Sequence, residues 1–462
     1  MQRTLLRREA TQPSAGLRNR AEHPTAPTGH NDSDLPPAAA PSASGPASEL
    51  PVPGSIEETG LDLAFIADLA LKIVYLNDQI TAATLSEQMC LRYGNVLERA
   101  LTLLRREHLV ETLSGGAQSP LNYGYTITDK GRARVLQVME RGAYIGPAPV
   151  TLRQYVEVVK RQAIAESRVS PESVREVMSD LVLEEHVIQA MGRAVNTGRS
   201  LFLYGPPGNG KTMLAEHIIP LLGGHVFIPH ALSIDGQIIK VYDPPNHQPI
   251  EGSAAIPGYD PRFVLCKRPA IVVGGELTLA ALDLGYDPVS KVYTAPLQMK
   301  ANGGMFLIDD FGRQLVTPQE LLNRWIVPLE KRIDFLTLRT GKKIQIPFDQ
   351  MIVFSTNLAP TDLVDEAFLR RIQNKIQVGN PTRPGFCEII RRQCDALGVE
   401  FHQDGLDYLL REYYDTPGRS FRACHPRDLL RTMIGMARYD GTRPELIPPL
   451  IDQACETYFV EF

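Results

Sequence analysis

The stretch SLFLYGPPGNGKTMLAEHII, residues 200–219, decides the fold. Leu201 to Tyr204 is a short apolar run of the kind that makes a buried parallel strand. Gly205 to Thr212 then reads G-P-P-G-N-G-K-T, which fits G-x-x-x-x-G-K-[ST]. From Met213 to Leu222 the apolar residues recur three and four apart, as on one face of a helix. Strand, glycine loop and helix in that order form a cradle for a triphosphate. Gly205, Gly208 and Gly210 permit backbone conformations that aim successive N–H groups at one anion. Lys211 adds a full charge near the β- and γ-phosphates, and the Thr212 hydroxyl is placed to ligate Mg²⁺. The candidate nucleotide-binding set is therefore Gly205, Pro206, Pro207, Gly208, Asn209, Gly210, Lys211, Thr212 and Met213, with ATP and Mg²⁺ as the expected cofactors.

Such a loop needs a second strand that ends in acids, to hold the metal and activate water. GGMFLIDDFG, residues 303–312, supplies it: Met305–Ile308 is the strand, Asp309 the metal-side acid and Asp310 the candidate base.

Here the chain resembles the AAA+ ATPase family. MIVFSTN (351–357) is similar to the strand whose last polar residue, Asn357, orients the water. DEAFLRRI (365–372) resembles the arginine-finger segment, which makes Arg370 and Arg371 candidates, and Arg427 in CHPRDLL (424–430) matches the second sensor of the helical lid. The family usually carries Asp-Glu where this chain has Asp309-Asp310. The shorter carboxylate implies either slow turnover or a backbone that compensates. Fingers act across a subunit boundary, so the resemblance implies a ring of copies, most plausibly a hexamer. After residue 55 the chain is also similar to a bacterial group described as AAA+ ATPases with chaperone activity, associated with Flp pilus assembly. That similarity rests on YIGPAPVTLRQYV, SLFLYGPPGNGKT, GGMFLIDDFGRQ and RACHPRDLL.

Working outward, residues 1–54 are rich in Pro, Ala and Ser and read as a disordered tail. Residues 55–145 read as a winged helix-turn-helix domain, with helices over 61–76, 84–91 and 95–109, two strands around a Gly-containing loop, and a closing helix. A helical linker over 146–178 leads into an α/β P-loop core over 179–380, and an all-α lid follows over 381–462. Lys211 and Asp309 lie much further apart than the about 30 residues of a whole βαβ unit, so a β-rich insertion is expected over about 231–300. Glu276 within it is a solvated strand-end acid or a second candidate acid. A hairpin over 333–348 has the basic tip Arg339-Thr-Gly-Lys-Lys343, which reads as a pore-directed element or as a charged turn.

The 462 residues suggest about two to four domains, and a hydrophobic share of 43% is enough for sizeable cores. A net charge of −5 argues against a general nucleic-acid coat. The six cysteines form no CxxC pair and read as reduced thiols of a cytoplasmic protein. No apolar run approaches the about 18 residues of a membrane span, so no membrane insertion is expected. Three functions share the ATPase: remodelling of a protein substrate, DNA-dependent hydrolysis with the winged helix docked on duplex, and a slow nucleotide switch. The wing, residues 111–124, carries no Lys or Arg, and the reading helix sets Arg99, Arg105 and Arg106 against Glu98 and Glu107. Phosphate neutralisation supplies most DNA affinity, so protein remodelling ranks first and DNA contact is expected to be weak.

Overall fold

The computed structural model describes residues 50–113, 119–164, 168–252, 258–363 and 366–459. The chain divides into two compact units. The larger comprises Thr151–Ser253, Phe263–Asp287 and Tyr293–Phe462; the smaller holds Met1–Val150, Ala254–Arg262 and Pro288–Val292.

The larger unit is built on five parallel strands in the order Ala270–Val273, Met305–Ile308, Met351–Thr356, Ser200–Tyr204 and Asn374–Gln377. Alternate side chains leave a strand on opposite faces, and here the two faces differ in kind. Leu201, Leu203, Met305, Leu307, Met351 and Val353 pack with Val187, Met191 and Leu214 in an aliphatic layer. Phe202, Phe306 and Phe354 enter an aromatic layer with Phe311 and Trp325. Phe202 stacks on Phe354 at 5.8 Å, and Trp325 meets Phe306 edge-on at 5.3 Å. Apolar side chains on both faces explain why these strands read as continuous apolar runs.

Several expected boundaries move. Ala270–Val273, placed by sequence inside the insertion, is the edge strand of the central sheet, and its alternating burial reflects that position. The inserted chain therefore falls on both sides of a core strand. The helix expected over 213–222 starts at Lys211 and splits into Lys211–Glu216 and Ile218–Leu222. Pro220 has no N–H to donate back to Glu216, which removes one rung of a continuous helix. Helices Pro171–Val177 and Glu185–Thr197 precede the phosphate-loop strand.

Strands Ala231–Ile234 and Gln237–Lys240 form a hairpin in the inserted chain. The basic hairpin is formed by Ile333–Thr337 and Lys343–Pro347. At its tip Arg339 lies 4.5 Å over the Tyr286 ring and Lys342 pairs with Asp235. Inserted residues thus engage two of the tip cations. Four helices, Arg383–Leu397, Gln403–Leu410, Cys424–Asp440 and Pro448–Tyr458, enclose a separate core around Phe386, Leu409, Leu430 and Ile451. Gly405 is required there: a Cβ would lie 1.8 Å from the Leu446 carbonyl oxygen.

In the smaller unit, helices Leu63–Asn77, Ala82–Met89, Glu98–Arg106 and Asp129–Arg141 surround an antiparallel sheet ordered Gln79–Thr81, Gly124–Ile127, Val110–Leu113. The third helix begins at Glu98 rather than near 95, because Gly94 is extended and Asn95 is left-handed at φ 58°. Residues 114–118 of the expected wing lie outside the described residues. The unit continues past 145 to Val150 and takes in two segments from the expected insertion. Arg262, 1% exposed, donates to Asp260 and to the Thr59 carbonyl, and Asp260 N–H donates to Leu50 O. Among the described residues no helix is long and apolar enough to cross a membrane.

Candidate active site

The phosphate loop leaves the strand Ser200–Tyr204 with three glycines at positive φ, namely Gly205 at 141°, Gly208 at 81° and Gly210 at 76°. Each has its own reason to lack a side chain. A Cβ on Gly205 would sit 2.2 Å from Val378 O, and one on Gly208 would sit 2.4 Å from Cys424 Sγ. Around Gly210 the space is open, and the φ of 76° is what favours glycine there. A glycine loop that runs into a helix N-terminus is an arrangement that offers backbone N–H groups to an anion.

Lys211 is buried, and its Nζ donates to Gly205 O and Pro206 O at 3.0 Å each and to Asn357 Oδ1 at 2.7 Å. Burial lowers the pKa of this ammonium group, while Asp309 and Asp310 oppose the shift. Asn357 Nδ2 in turn donates to Asp310 Oδ1 at 3.1 Å. One residue along the helix, Thr212 Oγ1 donates to Asp309 Oδ2 at 2.8 Å. The structure thus brings together Lys211, Thr212, Asp309, Asp310 and Asn357 from three neighbouring strands of the sheet. Hydroxyl and carboxylate oxygens side by side are the donor set of a hard cation such as Mg²⁺, so the residues present fit a magnesium nucleotide. Met213 is largely exposed, and its carbonyl accepts from His217 Nδ1.

Beside the loop lies a cavity of about 450 Å³ whose lining includes Val182, Val187, Asn209, Val378, Asn380 and Ala423. Its size and its mix of apolar walls with amide edges suit a purine base. The break between the two helices of 171–197 supplies one wall.

The start of the helix Cys424–Asp440 meets the loop through contacts that sequence reasoning did not foresee. Cys424 N–H donates to Gly208 O at 2.8 Å, Ala423 N–H to Asn209 Oδ1 at 3.2 Å, and Asn209 Nδ2 to Asn380 Oδ1 at 2.9 Å. Most of these bonds use backbone groups, which leave no mark on residue type. Arg427, the expected second sensor, stands exposed in the first turn of Cys424–Asp440 with its Nε 3.0 Å from Asp428 Oδ1.

Arg370 and Arg371 lie elsewhere. With Arg199, Glu330 and Gln373 they line a separate cavity of about 460 Å³ that shares no residue with the phosphate loop or the base cavity. Arg371 Nε donates to Glu330 Oε1 at 2.7 Å. Arg370 is exposed, and its side chain has no hydrogen bond or ion pair among the described residues. Glu276 caps its own turn, accepting from Gly274 N–H at 3.0 Å, and that backbone bond holds its carboxyl below the usual range. Among the C-terminal helices, Glu400, His402 and Glu445 come together, with His402 Nε2 at 3.9 and 3.7 Å from the two carboxylates.

Residues 177–228, which span the phosphate-loop strand and helix, match the family described as magnesium chelatase, subunit ChlI. Residues 382–457 match a domain of unknown function (DUF8689). No curated protein sequence matches the chain. Among solved structures, the Thermotoga maritima RuvB Holliday junction branch migration motor is similar at 14% identity and a TM-score of 0.35, covering 60% of this chain and 70% of that one. A mutant of the same RuvB gives 13% identity and a TM-score of 0.35 over 64% and 72% of the two chains. The magnesium chelatase match and the parallel sheet with its glycine loop support an AAA+ core with an α/β P-loop fold, and with it nucleotide-dependent function.

Proposed function

We propose that the chain is an ATPase that couples hydrolysis to remodelling of a protein substrate or complex, working in a ring of copies, most simply a hexamer. The observation that carries the ATPase reading is the hydrogen-bonded line Lys211–Asn357–Asp310 beside the Thr212–Asp309 pair. Bound magnesium ATP would supply the transferable phosphoryl group and the cation. The Lys211 ammonium offsets phosphate charge, Thr212 and Asp309 offer oxygens to the metal, Asp310 accepts a proton from water, and Asn357 orients that water. Arg370 or Arg371 completes the site of a neighbouring copy, and Arg427 senses nucleotide from the lid.

In this reading the smaller unit is a winged helix that recruits protein. Two of the three arginines on its reading helix have a glutamate beside them: Arg99 lies 3.7 Å from Glu57, and Arg106 lies 3.7 Å from Glu107. Cations already facing carboxylates are poor phosphate ligands, so at physiological salt duplex DNA should bind feebly.

The test is ATP turnover by the full chain, with and without duplex DNA, beside an Asp310→Asn variant. Turnover in the wild type, its loss with retained ATP binding in the variant, and indifference to DNA are expected. Strong stimulation by DNA would move the assignment to a DNA-dependent ATPase. Wild-type turnover no faster than that of Asp310→Asn would leave a nucleotide switch.

A further inference from the structure

The turn that follows the two acids is closed by the Gln314 side chain. Asp310 lies in the left-handed region at φ 48°, a conformation that non-glycine residues seldom adopt. A tight turn follows, with Arg313 N–H on Asp310 O at 3.0 Å. Gln314 closes it with both ends of its amide. Its Nε2 donates to Asp309 O at 2.8 Å and to Asp310 O at 3.2 Å, and its Oε1 accepts from Gly312 N–H at 2.8 Å. On the other side Phe311 is tied to the strand that ends at Asn357: its N–H donates to Ser355 O at 2.7 Å, and its O accepts from Thr356 Oγ1 at 2.9 Å. Held this way, the short Asp310 side chain still comes within 3.1 Å of Asn357 Nδ2.

We propose that Gln314 is a positioning residue for hydrolysis, and that the left-handed turn it fastens is what sets an aspartate, rather than a longer acid, at the working distance. The proposal rests on the ATPase reading above. Gln314 acts through the carbonyls of Asp309 and Asp310 and the N–H of Gly312; among the described residues its amide makes no bond to the phosphate loop. In the same turn a glutamate at 310 would carry its carboxylate about 1.5 Å further and lose the register with Asn357.

The experiment compares kcat, KM, ATP affinity and melting temperature for the full-length wild type, Gln314→Leu, Gln314→Glu, Asp310→Glu and Asp310→Asn. Gln314→Glu keeps the size and the acceptor but turns two donated bonds into a carboxylate facing two carbonyls. Misplacing a reacting group by a fraction of an ångström costs about tenfold or more in rate. Both Gln314 variants should therefore lose about tenfold in kcat while KM and ATP affinity stay within about twofold, because the phosphate loop is untouched. Asp310→Glu should also fall in kcat. Wild-type kcat in Gln314→Glu, or a parallel collapse of affinity and melting temperature in both Gln314 variants, would overturn the positioning role while leaving the ATPase reading intact. A rise in kcat in Asp310→Glu would overturn the claim that the turn is fitted to aspartate. A wild type with no turnover above Asp310→Asn would overturn this proposal and the ATPase reading together.

Discussion

The two charged ends of the nucleotide core are organised in opposite ways. At the acid end, Lys211, Asn357, Asp310, Thr212 and Asp309 satisfy one another through side-chain hydrogen bonds. At the arginine end, Arg371 is paired with Glu330, while Arg370 stands exposed at a cavity that shares no residue with the phosphate loop. A site that was complete within one copy would bring the arginines to the loop. Under the proposed function, separate acid and arginine ends would suit a head-to-tail assembly in which each copy lends its arginines to the next.

The largest expected effect breaks the acid end. Lys211→Ala removes the charge that faces the phosphates and leaves Asn357 Oδ1 without its donor, so ATP binding should be lost beyond detection in calorimetry. Asp310→Asn should bind ATP with near-wild-type affinity and turn over about a hundredfold more slowly or worse, the usual scale of general-base loss. The arginine end should show a graded response. Arg370→Ala, whose side chain has no hydrogen bond or ion pair to lose among the described residues, should cut turnover by about a thousandfold without changing melting temperature. Arg371→Ala should also lower melting temperature, because it strips Glu330 of its pair. Mixing Arg370→Ala with Lys211→Ala should restore part of the turnover at junctions that pair an intact loop with an intact arginine. A monomer of full activity in sizing experiments under assay conditions would sink the comparison.

How much of this was legible in sequence depends on where the recognition groups sit. Gly205, Lys211, Thr212 and Asp309 stand out in sequence by residue type and spacing and Asn357 by resemblance, and the structure sets Lys211 beside Asn357 and Thr212 beside Asp309. Asp310 was legible as an acid but not as a left-handed residue, because φ is set by the turn and by Gln314 rather than by the aspartate itself. The lid contact escaped for a similar reason: Gly208 and Cys424 meet through backbone N–H and C=O, which every residue carries. The boundary of the smaller unit was missed because Arg262 and Asp260 lie far along the chain from Thr59 and Leu50, whose contributions are carbonyls. Deleting residues 1–142 would remove the carbonyls of Thr59 and Leu50 and leave the buried pair incompletely bonded, so charge reversal at Arg105 in the full chain is the cleaner probe of DNA contact.

The smallest effect concerns the lid and is read as pH dependence. His425 is buried, with its Nδ1 3.0 Å from the Tyr414 hydroxyl and rings of Tyr458 and Phe459 packed against it. Burial, reinforced by Arg422 and Arg419, lowers its pKa from 6.5 to about 4. A base whose folded pKa is depressed is bound by a proton in the unfolded chain first. Between those two values the unfolded state therefore holds more protons than the folded lid, and stability falls as pH falls through that window. Above the unfolded value the contribution is complete. The melting temperature of the wild type should accordingly drop on acidification, whereas His425→Gln, which keeps a polar group opposite Tyr414 and cannot take up the proton, should start lower and lose less over the same interval. Parallel melting curves for the two proteins would place the acid sensitivity in other groups. The lid's Cys424 lies on Gly208 of the phosphate loop, so the same titration should weaken ATP binding in the wild type before the sheet unfolds, and much less in His425→Gln.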